Sequence, residues 1–122
     1  KTINFFEKTK SLLTFPVFFK KNPYTLVLRN KSKKFDNILQ SKEVSYKIKN
    51  GESDCGFFVF KTNLVRKYLG LLIKQKIILT AKSNEIDFLS SFKFLKKNGK
   101  ITTVKAHSFK DTIGVNSKKD LI

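Results

Sequence analysis

Cys55 and His107 are the one cysteine and the one histidine of this chain, so any nucleophilic thiol chemistry would have to join these two. Cys55 stands in Asn50-Gly51-Glu52-Ser53-Asp54-Cys55-Gly56-Phe57-Phe58, after a turn-like stretch. His107 would also need an orienting acid, and its neighbours Ser108 and Asp111 supply residue types without a recognisable spacing. A small buried cysteine and a polar histidine at a strand end are the plainer readings. One Cys and one His cannot close a structural zinc site. The close acidic pairs, Glu52 with Asp54 and Glu85 with Asp87, fall where turns are expected and form no calcium or magnesium loop. There is no glycine-rich phosphate loop. The residue types therefore predict a protein without catalysis, cofactor, metal or small-molecule substrate.

The chemistry that the composition does support is the neutralisation of a polyanion. Lys and Arg total 26 against 9 acids, a formal charge of +17 on 122 residues, and folding such a chain costs self-repulsion that a polyanion relieves. The lysines gather with aromatics between them: Lys31, Lys33 and Lys34; Lys93, Lys96, Lys97 and Lys100; then Lys105, Lys110, Lys118 and Lys119. Together they form the electrostatic footprint of a nucleic-acid binder. RNA is favoured over DNA because no helix-turn-helix, zinc finger or basic zipper is legible. Only 2 of the basic residues are Arg, Arg29 and Arg66, so bidentate arginine recognition is not what was selected. Lys, Asn, Ile and Phe make up 56 residues and Gly, Ala, Arg and Pro only 11, a bias that matches AT-rich codons. That bias points to a mitochondrial source, with a plastid or an AT-rich bacterium as the alternatives.

These side chains need elements to position them. The length predicts one domain, and 40% apolar residues suffice for a core. Residues 1–23 alternate lysines with Phe5, Phe6, Phe15, Phe18 and Phe19, are interrupted by Pro16, and read as an extension that docks elsewhere. Residues 24–108 read as the domain and 109–122 as a basic C-terminal segment. Within the domain the pattern predicts a strand over 24–29 and a short helix over 35–40. Val44, Tyr46 and Ile48 predict a half-buried strand, Asn50-Gly51 a turn, and residues 55–60 a buried strand. Leu64, Val65, Tyr68, Leu69, Leu72 and Ile73 recur at three and four, which predicts a helix over 63–76 capped by Thr62, with Arg66, Lys67 and Lys74 outward. Ile77, Ile78 and Leu79 predict a strand closed by Ser83-Asn84. A hairpin at Asn98-Gly99 is predicted between 92–97 and 100–105, which would set Lys97 opposite Lys100. No apolar stretch approaches the roughly 20 residues of a membrane span. The predicted fold class is α+β: a small mixed or antiparallel sheet with one principal helix packed on it, plus the N-terminal extension.

Two resemblances follow from these segments. Asp54-Cys55-Gly56 before apolar residues resembles the nucleophile segment of ubiquitin-like-protein cysteine proteases, which place their catalytic His before the Cys. This chain has no His before Cys55, so the likeness stops there. The other covers about residues 57–121. Val59-Phe60-Lys61-Thr62-Asn63-Leu64, with the following helix through Leu72 to Ile77-Ile78, resembles the Val-Pro-x-Ser-Lys-Leu segment and its helix ending in Gly-Phe-Ile of the eighth small-subunit ribosomal protein family. Ile101-Thr102-Thr103-Val104-Lys105-Ala106-His107-Ser108 resembles that family's Ile-Thr-x-x-Lys-Arg-Ile-Ser, and Ser117-Lys118-Lys119-Asp120-Leu121 its Ser-Ser-Lys-Glu-Leu. The family's Lys-Pro-Gly is replaced by Phe109-Lys110-Asp111. The resemblance implies that family's first domain only, with its first helix near residues 36–39.

The expected function is that of a structural constituent of the small subunit of an organellar, mitochondrial ribosome, with rRNA and neighbouring ribosomal proteins as partners. The expected rRNA contacts are Lys93, Lys96, Lys97, Lys100, Lys105 and Lys119, with Thr103, Ser108 and Ser117 bonding phosphate or 2′-hydroxyl. Arg66, Lys67 and Lys74 on the helix, and Lys31, Lys33 and Lys34 in the first basic loop, extend the set. The rival expectation is a non-catalytic adaptor or ribosome-assembly factor of an AT-rich organism, its lysines a codon bias and its Phe-rich arm a partner-binding strip.

Overall fold

The strand that organises the molecule is Leu13–Lys21, in which Leu13, Phe15 and Val17 are almost wholly buried. The computed structural model describes residues 1–75 and 87–106. In chain order the elements are α1 (Thr2–Lys8), β1 (Leu13–Lys21), β2 (Thr25–Arg29), β3 (Phe35–Gln40), β4 (Asn50–Asp54), β5 (Val59–Phe60), α2 (Thr62–Lys74), α3 (Phe92–Leu95) and β6 (Ile101–Lys105). The fold is α+β with a mixed sheet: β4 and β5 run antiparallel to β1, and β6 runs parallel to it. β2 and β3 form a separate antiparallel ribbon packed on β4.

Pro16 explains how β1 serves three partners. The Ala106 N–H donates to Val17 O at 2.9 Å, so the polar groups of Val17 face β6, and strand alternation turns those of Pro16 to the other side. Leu13 and Val17 each pair with β6 as well as with β5 or β4, so β5 and β4 follow one another along that other side. Proline has no N–H to give there, and the ladder breaks at that point. Residues 55–58 bulge opposite Phe15 and Pro16, between the Val17↔Asp54 and Thr14↔Val59 pairs.

One face of the sheet meets the apolar core. Phe15, Phe35, Phe58, Phe88 and Phe92 form a web of tilted and edge-to-face rings with centroids 5.2–6.1 Å apart, joined by Leu13, Val65, Leu95 and Ile101. The other face is fastened by hydroxyls. Thr9 Oγ1 and Ser11 Oγ lie 2.6 Å apart, Ser11 Oγ and Thr102 Oγ1 2.8 Å, and Thr102 Oγ1 and Thr14 Oγ1 2.7 Å. This chain of hydrogen bonds ties the end of α1 to β1 and β6 with Ser11 and Thr14 fully buried.

Several sequence expectations are corrected here. Residues 1–23 are not a docking extension: β1 lies within them at the centre of the sheet. A strand whose first residues, Leu13 to Phe15, are buried on both faces loses the polar alternation that would have identified it, and Pro16 disguised it further. Residues 35–40 form β3 rather than a helix, and with them the helix expected near 36–39 goes. Phe35 and Ile38 are both buried at helix-like spacing because the register shifts between Leu28↔Asn37 and Arg29↔Phe35, leaving Asp36 as an extra, bulged residue. Val44, Tyr46 and Ile48 lie in no strand, and they follow a 3-10 turn at Ser41–Glu43. Asn50-Gly51 opens β4 instead of turning the chain. Gly51 has φ +154°, which L side chains rarely adopt, and a Cβ there would have to displace the tip of the Leu26 side chain. Of residues 55–60 only Val59–Phe60 pairs as a strand.

No hairpin forms at Asn98-Gly99. Phe92 and Leu95, three apart and fully buried, are one turn of helix, and β6 pairs with β1. Gly99 instead permits close approach, since a Cβ would sit 2.7 Å from Leu12 Cβ. The helix over 63–76 is found as Thr62–Lys74, with Lys61 rather than Thr62 at the cap position. The strand at 77–81 and its turn, His107, and the segment 109–122 lie outside the described residues.

Asp87 anchors the start of the 3-10 turn Leu89–Ser91. Its carboxylate accepts from Gln40 Nε2 at 2.8 and 2.9 Å, from Ser90 Oγ at 2.7 Å and from the Ser90 N–H at 3.4 Å. Burial pushes the carboxyl pKa up, but the hydrogen bonds from Ser90 and Gln40 and the charge of Lys42 together hold it below the usual value. A depressed folded-state pKa adds stability that is present at neutral pH and lost as pH falls through the native value. Asp87→Asn is therefore expected to cost about 1 kcal/mol at pH 7. The difference from the parent should shrink in acid, as read by urea denaturation at both pH values, and a cost independent of pH would contradict this.

Candidate nucleic-acid interface

The loop between β2 and β3 carries three lysines in a fixed shape. Asn30 Oδ1 accepts the N–H of Ser32 at 2.9 Å and of Lys34 at 3.1 Å, while the Asn30 N–H donates to Lys34 O at 2.9 Å. Asparagine is suited to this because its side chain imitates a backbone turn. Lys33 takes a left-handed conformation, φ 62°, and its N–H donates to Asn30 O at 2.9 Å. Lys31, Lys33 and Lys34 are all exposed on this tip. Their mutual repulsion is borne by the hydrogen bonds of Asn30.

Arg29 locks the tip to the sheet. Its guanidinium donates Nε to Glu52 Oε1 at 2.6 Å, Nη2 to Glu52 Oε2 at 3.0 Å and to Thr103 Oγ1 at 2.8 Å, and Nη1 to Lys33 O at 3.1 Å. Hydrogen bonding to Glu52 raises its pKa, against the lowering by burial, so Arg29 is a permanent cation. One side chain thus joins β2 to β4 and β6.

Between this tip and the end of α1 lies a groove of about 290 Å³ lined by Phe5, Thr9, Arg29, Lys34, Phe35, Lys100, Ile101, Thr102 and Thr103. Phe35 and Ile101 are buried and form its floor, and Phe5 is 37% exposed. Lys100 Nζ donates to Thr9 O at 3.3 Å. Lys34 and Lys100, 66 positions apart in sequence, are brought to one rim by the packing of the ribbon and β6.

The remaining expected contacts are distributed over other surfaces. Lys93 and Lys97 both approach the Phe94 ring, Nζ to centroid 5.2 and 5.9 Å, and make a second cationic patch with an aromatic between them. Lys96 is engaged inward, its Nζ donating to Asp36 Oδ1 at 2.8 Å and Asp36 O at 2.7 Å. Thr103 is held by Arg29, and Lys105 is exposed at the end of β6. Arg66, Lys67 and Lys74 are exposed on α2, with Lys67 Nζ 5.9 Å from the centre of the Tyr68 ring. Ser108, Ser117 and Lys119 lie outside the described residues. Sequence reading missed Phe5, Thr9, Arg29 and Phe35 as partners of Lys34 and Lys100. Arg29 bordering the basic loop was the one signal that could have pointed to them.

Four of the six described acids are engaged by other groups, while Glu7 and Glu43 are exposed. Glu52 is taken by Arg29 and Asp36 by Lys96. Asp54 accepts from Thr25 Oγ1 and the Gly56 N–H, and Asp87 from Gln40 and Ser90. Among the described residues no group of three or more His, Cys, Asp or Glu could hold a metal ion, and no helix is long and apolar enough to cross a membrane. Comparison with protein-family models and with curated proteins finds no match to the chain.

Proposed function

We propose that this chain is a non-catalytic RNA-binding protein, a structural constituent of the small subunit of a mitochondrial ribosome. The observation that carries this reading is the pairing of a preorganised three-lysine tip with Lys100 around a groove containing an exposed aromatic, on a molecule of charge +17 whose described acids are largely engaged internally. Lysines fixed in place neutralise phosphates without the entropy loss of ordering a flexible loop, and each one releases counterions on binding. The partners in this reading are rRNA and the ribosomal proteins beside it. The Lys and Asn bias and the resemblance of residues 57–121 to the eighth small-subunit family support the ribosomal and organellar part.

Sedimentation of a mitochondrial lysate through a gradient at low and moderate salt tests the proposal. The chain is expected to travel with the small-subunit rRNA at both. Recovery at the top of the gradient under both conditions would overturn it and favour the adaptor reading, for which Leu64 and Leu71, 39% and 50% exposed on α2, offer an apolar contact surface.

A further inference from the structure

Resting on that reading, we infer that the groove between Phe5 and Arg29 holds a single unpaired nucleobase of the bound RNA, with its flanking phosphates on Lys34 and Lys100. The inference begins with Arg29. Four hydrogen bonds to Glu52, Thr103 and Lys33 leave from the edge of its guanidinium, because the N–H groups of that side chain all lie in its plane. An arginine so occupied has little left to give a phosphate. What remains is its flat face, and the side chain is still 27% exposed and lines the groove. Guanidinium planes and aromatic rings are the two surfaces on which proteins stack unpaired bases.

Phe5 supplies the second surface. Its backbone carbonyl accepts Thr9 Oγ1 at 2.7 Å, and Thr9 belongs to the buried hydroxyl chain through Ser11 and Thr102 to Thr14. The helix that carries the ring is therefore fastened to the sheet. Buried Phe35 and Ile101 give the groove an apolar floor, which suits a base and is wasted on a phosphate. Lys34 and Lys100 both line the groove, where the ribose-phosphate chain on either side of an extruded base would pass. A duplex presents no free base to such a groove and can engage the lysines alone.

The test uses the full chain and two blunt-ended RNA duplexes matched to within one nucleotide, one fully paired and one with a single bulged 2-aminopurine, titrated by fluorescence anisotropy at fixed salt. The bulged RNA is expected to bind about tenfold tighter, and the stacked probe to lose fluorescence. Phe5→Ala, a change at a partly exposed position, should remove about tenfold from the bulged RNA and leave the paired one within twofold. Phe5→Tyr, which keeps the ring, should restore the preference. Equal affinity for both duplexes, unaffected by Phe5→Ala, overturns the base groove and leaves RNA binding in place. Binding to neither removes the proposed function together with the groove.

Discussion

Phe92→Ala is expected to destabilise the domain by about 3–5 kcal/mol, a large share of the 5–15 kcal/mol that holds a typical domain together. Phe92 is fully buried, and its ring lies 5.7 Å from Phe15, 6.1 Å from Phe35, 5.7 Å from Phe58 and 5.2 Å from Phe88. Those four neighbours come from β1, β3, the bulge before β5 and the turn before α3, so the cavity opens where four segments meet and none can close it alone. Their edge-to-face geometry is lost along with the buried area. The matched control is Phe57→Ala at a 50% exposed ring, expected to change stability by no more than about 0.5 kcal/mol. Urea denaturation followed by far-UV circular dichroism separates the two. Equal midpoints would show that the aromatic web is not the core.

The triple reversal Lys31→Glu, Lys34→Glu and Lys100→Glu is expected to lower RNA affinity by about a hundredfold or more at low salt and to make the plot of log affinity against log salt shallower by about three units. These residues are exposed, and only Lys100 donates a side-chain bond, to Thr9 O at 3.3 Å, so the fold should survive. Lys96→Glu makes the informative contrast. It turns the ion pair with Asp36 into two facing carboxylates and should cost stability by up to about 1 kcal/mol while affecting RNA binding little. Filter binding across a salt series and a melting curve read both effects. If Lys96→Glu cost about a third of the triple variant's loss in log affinity, in proportion to its smaller change of charge, net charge rather than the arrangement around the groove would be the determinant.

How far the sequence revealed this molecule depended on the periodicity each element kept. The α2 helix was legible because Val65, Tyr68, Leu69 and Leu72 repeat on one face, and β2 as a short apolar run, although its buried residues are Thr25 and Val27 rather than Leu26 and Leu28. Two elements were hidden by bulges. Asp36 gave β3 the spacing of a helix, and Pro16 made the central strand look like an interrupted arm. Phe92-Lys93-Phe94 imitated strand alternation where the buried pair is Phe92 and Leu95. The basic character of the surface was readable from composition alone. The groove was not, since Phe5, Arg29 and Lys100 are joined by a parallel pairing of β1 with β6 that no local pattern announces.

That parallel pairing also orders the events of synthesis. Ser11 and Thr102, which share a hydrogen bond beside the β1–β6 ladder, are separated by 91 positions. At a translation rate of about 5–20 residues per second, the centre of the sheet waits roughly 5–20 s for the strand that completes it. Throughout that interval Leu12, Leu13, Phe15 and Val17 are exposed with one edge of their backbone unpaired, on a nascent chain already rich in lysine. Closing so long a loop gives no reward until its last contact forms. Maturation of this fold is thus tied to the synthesis of β6, and whatever shelters it beforehand must accept an unfinished apolar strand rather than a folded domain.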